Sequence, residues 1–208
     1  GEAVIDDTII KVDSCIQEGN GKVSITDSKI YSKQGIRKNG DEILKIVNSE
    51  IESEGVGIVV EKGDIEITES KVIGEIGIEI REKGDIKQEK LEIESNNIGL
   101  LYSNNKMLDI EGIKIASKDI ALKSNSDEVR ITGSDIEGNI ECEETEYIEI
   151  SDSKLDNIRV KDNSQMLIRA SKIRGKRLEI EKEGEAVIDD TIIKVDSCIQ
   201  EENGKVSI

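Results

Sequence analysis

The chain has 208 residues, no Pro, Phe, Trp or His, three Tyr as its only aromatics, and 46 acids against 29 bases for a net charge of -17. Such an acidic chain repels nucleic acid and anionic membrane surfaces, and without His every metal site or mechanism that needs imidazole is excluded. No apolar run approaches the ~20 residues that span a bilayer, and the 38 regularly spaced isoleucines argue against disorder.

From Gly1 onward one motif is restated about every 20 residues. The first copy carries Ile5, Thr8 and Ile10, and the second reads Val23-x-Ile25-x-x-Ser28-x-Ile30. The third turns on Ile46 and Ser49, and the fourth is Ile65-x-Ile67-x-x-Ser70-x-Val72. The fifth departs, with Gln88 and Leu91 at the Ile and Ser positions, so a bulge or shifted register is expected over 85–106. The sixth centres on Ile110, with Ile113 in place of the hydroxyl. Ile131 with Ser134, Ile148-x-Ile150-x-x-Ser153-x-Leu155, Ile168 with Ser171, and Ile188 with Thr191 follow, and Ile208 opens one more copy. A second apolar pair comes later in each copy, as in Gly57-Ile58-Val59-Val60 or Asn157-Ile158-Arg159-Val160. A polar turn such as Glu61-Lys62-Gly63-Asp64 or Glu82-Lys83-Gly84-Asp85 is expected to close it.

Each apolar-x-apolar piece alternates at period two, which predicts a strand with one face inward. Three such pieces recur per copy without hairpin turns. The economical solution is an all-β coil whose turns stack in register, three short strands per rung of about 20 residues, over one continuous segment 1–208. The core ladder is then Ile5, Ile25, Ile46, Ile67, Ile110, Ile131, Ile150, Ile168 and Ile188. A longer period is superimposed: residues 184–208 repeat residues 1–25 at an offset of 183, differing only at Gly19 against Glu202. Nine rungs per long period, at a strand spacing of ~4.8 Å, advance about 43 Å.

The rung length, the three strands and the recurring Ile-x-x-Ser-x-Ile resemble the right-handed parallel β-helix repeats of the pectate-lyase-like superfamily, in the form of a structural, fibrous member. That resemblance covers the whole chain. It implies the fold but not the function, because the family includes polysaccharide lyases and hydrolases, adhesins, tail spikes and structural solenoids.

The hydroxyl ladder Thr8, Ser28, Ser49, Ser70, Ser134, Ser153, Ser171 and Thr191 has no imidazole to activate it and reads as turn hydrogen bonding. The lyases of the family hold Ca²⁺ with acids, but Asp6, Asp7, Asp27, Asp189, Asp190 and the run Glu141, Glu143, Glu144, Glu146 form no spaced ligand motif and read as a solvated face. No catalytic, cofactor or metal residue is assigned, and the chain is not expected to be an enzyme. Cys15 and Cys198 occupy one position of the long period, and Cys142 and Cys198 lie three rungs apart, beyond disulfide reach; buried free thiols are expected. The basic stretch Arg169, Lys172, Arg174, Lys176, Arg177 reads as pairing with acids on adjacent rungs, with a docking patch for an acidic neighbour as the sharper reading. Tyr31, Tyr102 and Tyr147 form no platform.

The last 25 residues restate the first, and neither end carries a capping helix or loop pattern. Uncapped ends are expected, on a piece of something longer. The expected function is a segment of a long extracellular or cell-surface fibre of tandem ~183-residue units. Its partners would be further copies end to end, with lateral association of fibres through divalent cations as a further possibility. The competing expectations are a polysaccharide-binding or polysaccharide-degrading β-helix and a cytoplasmic scaffold filament similar to bactofilins. The Ile, Glu and Lys bias without Pro resembles proteins of hot environments.

Overall fold

The computed structural model describes residues 1–18, 21–160, 164–180, 184–200 and 205–207. The Gly19/Glu202 difference and Ile208 lie outside the described residues. Among the described residues there is no helix, and every paired strand is parallel to its neighbour. The chain is a parallel β-solenoid of about nine turns.

Each rung contributes to three faces. The first face is seen in Glu2–Asp6, Lys22–Thr26 and Leu44–Val47, and later in Leu108–Glu111 through Glu185–Asp189. The second begins with Ile9–Val12, Lys29–Ser32 and Glu50–Ser53. The third begins with Cys15–Glu18 and Ile36–Asn39. On the first face Ile5, Ile25, Ile46, Ile67 and Gln88 are successive register partners. Ile110, Ile131, Ile150, Ile168 and Ile188 form the second run of that ladder. The second face stacks Ile10, Ile30, Ile51 and Val72 and ends on Ile173 and Ile193. The third stacks Cys15, Ile36, Ile58, Ile78 and Leu100 and ends on Leu178 and Cys198. These columns fill the interior: Ile46, Ile67, Ile110, Ile131, Ile150 and Ile168 are fully buried, and Ile5 alone of the ladder is only partly covered. Full burial of each such side chain contributes about 1.5–3 kcal/mol.

One expectation needs correction. The polar segments Glu61–Asp64 and Glu82–Asp85 are not separate turns. They are bends inside the long strands Val56–Thr68 and Lys71–Glu89. Lys62, Gly63 and Asp64 stay paired with Lys83, Gly84 and Asp85 because stacking satisfies the bent backbone as well as the flat faces. Gly63 takes φ 79, and a Cβ there would meet the Gly40 carbonyl. In the irregular copy the expected shift of register is present: between Ser95 and Ile98 the chain runs one residue longer than between Gly74 and Ile76 of the rung below. Pairing also breaks above Gln88. Asp85–Glu89 remain in register with the rung below, but Leu108–Glu111 begins a separate six-stranded sheet. A polar amide at an inward position needs a partner, and Gln88 Nε2 donates to the Asp109 carbonyl at 2.9 Å.

Candidate functional site

The bend between the first and second faces is built the same way in every rung. Its first residue is left-handed: Asp7, Asp27, Asn48, Glu69, Lys90, Gly112, Gly133, Asp152, Ala170 and Asp190 all have φ between 44° and 62°. Asp, Asn and Gly tolerate that conformation best, and seven of these ten positions carry them. That bias was the available sequence signal for a column the motif reading passed over.

The next residue is the hydroxyl ladder. Each hydroxyl donates to the carbonyl two residues earlier, from 2.6 Å for Ser28 and Ser171 to 2.9 Å for Ser134. Each except Thr8, in the first rung, also accepts the backbone N–H of the equivalent residue one rung earlier. Thr8 N donates to Ser28, Ser28 N to Ser49 and Ser49 N to Ser70, at 3.0–3.1 Å. The relay lapses at buried Leu91 and resumes at Ser134, which takes the Ile113 amide at 3.3 Å. It then runs through Ser153 and Ser171 to Thr191. A hydroxyl buried and engaged in both directions is a structural strut, worth about 1 kcal/mol per bond.

The acids expected to be solvated are at the surface: Asp6, Asp7, Asp27, Asp189 and Asp190 are exposed, with Asp27 accepting from Asn48 Nδ2 at 2.5 Å. Glu141 and Glu143 are half-buried around Lys123 Nζ, at 3.9 and 3.6 Å, and Glu144 and Glu146 are exposed. Among the described residues, no three potential metal ligands converge. Cation pairs between rungs recur outside, as in Lys29–Glu50 at 2.8 Å, Lys71–Glu94 at 2.7 Å and Lys90–Glu69 at 2.6 Å. At this exposure each contributes a fraction of about 1 kcal/mol.

All three cysteines are free thiols. Cys142 is buried, and burial pushes its thiol up to about 12. Cys15 is half-covered, and burial raises it too. Cys198 stands exposed above Leu178 in the column that Cys15 begins.

Among the buried polar side chains, the burial of Lys38 and Tyr102 was not foreseen from the sequence. Lys38 is fully buried in the column continued by Val60, Ile80 and Tyr102. Its Nζ donates to the carbonyls of Gly40 and, at 3.1 Å, Lys62, and burial holds its pKa below the usual lysine range. Tyr102 is the largest fully buried side chain, and its hydroxyl donates to Asp85 Oδ1 at 3.2 Å. Burial, reinforced by Asp85, raises its pKa. Of the other tyrosines, Tyr31 lies 5.7 Å beneath the Lys11 ammonium and Tyr147 is half-buried on the first face. The sequence signal for Lys38 was its place in the second pair: Gly35-Ile36-Arg37-Lys38 aligns with Gly57-Ile58-Val59-Val60, so Lys38 falls in the inward column of Val60.

The basic stretch departs from the simpler reading. Arg169, Lys172, Arg174, Lys176 and Arg177 are exposed, and among the described residues none of them forms an ion pair. Lys172 is the register partner of Lys154, and Arg174 that of Lys194, so like charges stack. Comparison of the chain with family models, with characterised proteins and with solved structures finds no match.

Proposed function

We propose that this chain is a segment of a long extracellular fibre, a non-enzymatic β-solenoid of tandem ~183-residue units stacked end to end. The observation that carries this reading is the seating of residues 184–200. They repeat residues 1–17 and lie on residues 164–180 in parallel register, as Ile188 on Ile168, Ile193 on Ile173 and Cys198 on Leu178. Residues 1–18 meet residues 22–39 by the same columns, as Ile5 with Ile25, Ile10 with Ile30 and Cys15 with Ile36. Joined through the shared segment, the two registers describe a coil in which the ninth rung of one unit seats the first rung of the next. Stacking supplies each strand edge with its partner, and an acidic surface limits clumping of such a fibre in the medium.

Electron microscopy of a polypeptide with several consecutive units should show thin unbranched threads with an axial repeat of about 43 Å. A thiol probe reads the same continuity. In the 208-residue chain Cys198 should react readily and Cys142 should not. When a further unit follows, the Cys198 thiol should become as protected as Cys142, because Ile36 and its neighbours then cover it. Globular particles, or a Cys198 that stays reactive inside a multi-unit polypeptide, would refute the reading.

A further inference from the structure

The outward positions of the second face behave unlike the rest of the surface. Residues 184–208 carry -4 of the total charge, so one repeat, residues 1–183, carries -13. Yet the outward second-face positions of one repeat hold seven bases and seven acids.

These charges are segregated along the axis. Lys154, Lys172, Arg174, Lys194 (the counterpart of Lys11) and Lys29 follow one another from the eighth rung across the repeat boundary into the second rung, with Asp156 the single acid among them. Glu50, Glu52, Glu92, Glu94, Asp135 and Glu137 occupy the third to seventh rungs, diluted by Lys71 and Lys114. Border charges are neutralised within the coil, as in Lys29–Glu50 and Lys154–Asp135. The band centres are not: among the described residues Lys172, Arg174 and Lys194 form no ion pair, nor do Glu52, Glu92 and Glu137. Like charges facing each other across strands are destabilising, so Lys172 beside Lys154 and Arg174 beside Lys194 gain from acids brought from outside. An apolar side chain lies in each band. Ile192 is 49% exposed in the basic one, and Ile73 is half-buried in the acidic one.

We propose that this face docks laterally on the second face of another copy of the same coil, displaced by half a repeat. This rests on the fibre reading. A displacement of about 22 Å, half the axial repeat, sets the basic band of each copy over the acidic band of the other. Both bands are longer than the ~8 Å screening length at physiological salt, so contact is governed by local complementarity rather than by the overall negative charge. Unshifted parallel copies would set base on base and acid on acid.

The test uses the 208-residue chain in EDTA. Sedimentation should show side-by-side association that weakens as salt rises. Lys172→Glu with Arg174→Glu, and separately Glu92→Lys with Glu94→Lys, should each weaken self-association roughly tenfold or more. An equimolar mixture of the two variants should associate again, because at a half-repeat displacement the reversed ninth-rung pair of one variant meets the reversed fifth-rung pair of the other, and the unchanged pairs of the same two rungs meet likewise. Circular dichroism of each variant checks the fold, and the neutral pair Lys172→Gln with Arg174→Gln should also weaken association if the reversed pair fails to fold. Association that is absent in EDTA, variants that associate like the parent, or a mixture that stays apart would overturn the proposal. Threads of multi-unit polypeptide that keep the axial repeat but never pair would overturn it while leaving the fibre reading intact. Lateral pairs without axial threads would overturn the fibre reading instead.

Discussion

Replacing Ser153 by Ala tests whether the hydroxyl ladder holds the rungs in register. Ser153 is 2% exposed; its hydroxyl donates to the Ser151 carbonyl at 2.7 Å and accepts the Ser134 amide at 3.1 Å. Truncation affects the two partners unequally. The Ser151 carbonyl keeps the Gly133 amide at 3.1 Å, whereas the Ser134 amide loses its acceptor inside the wall. A neutral hydrogen bond is worth about 1 kcal/mol, and leaving a buried donor unsatisfied costs about 1–3 kcal/mol. The expected destabilisation is therefore about 2–3 kcal/mol, a fall in Tm of roughly 5–10 °C for a chain of this length. The matched control is Ser151→Ala, two residues away. Ser151 is half-buried and touches only Thr132 Oγ1 at 3.3 Å by its hydroxyl, so its loss should cost under about 0.5 kcal/mol. Thermal unfolding gives the difference, and hydrogen exchange should show faster exchange at the Ser134 amide in Ser153→Ala. Equal Tm values for the two variants, or an unchanged Ser134 amide, would show that the ladder is decoration.

Ile131 is fully buried between Ile110 and Ile150, so Ile131→Ala should cost about 2–5 kcal/mol in urea unfolding; a loss under ~1 kcal/mol would mean the columns are loosely packed. Ala170 is exposed at φ 47, where a Cβ is unfavourable by about 1–2 kcal/mol, so Ala170→Gly should raise Tm despite glycine's larger unfolded entropy; a lower Tm would contradict the left-handed bend. The Cys142 thiol is raised from 9.0 to about 12 in the folded chain. Above pH 9 the unfolded chain therefore gives up this proton first, and its contribution to stability falls as pH climbs from about 9 toward 12. Cys142→Val should keep more of its neutral-pH stability over that window in pH-dependent unfolding. Lys38 has the opposite sign. Its folded pKa is lowered, so its cost to the folded state shrinks as pH rises through that value toward 10.5, and Lys38→Met should be stabilising at neutral pH and remove this rise.

The repeat determined the architecture because stacking is translation. A residue that recurs at a fixed place in each copy, such as Ile131 or Ser153, must lie over its own kind, so the inner columns and the hydroxyl ladder can be read from spacing alone. What spacing does not carry is the backbone's path between those places and the company a side chain keeps across rungs. The left-handed column from Asp7 to Asp190 is a conformation, only partly mirrored in residue type. The burial of Lys38 depends on two carbonyls, that of Gly40 two residues on and that of Lys62 brought over it by a corner 24 residues further on. The split above Gln88, where the Gln88 amide reaches the Asp109 carbonyl and a separate sheet begins, is visible only once the rungs are stacked. The segregation of charge on the second face arises because residues about 20 apart become neighbours, and only the folded coil puts Lys172 beside Lys154 and Arg174 beside Lys194.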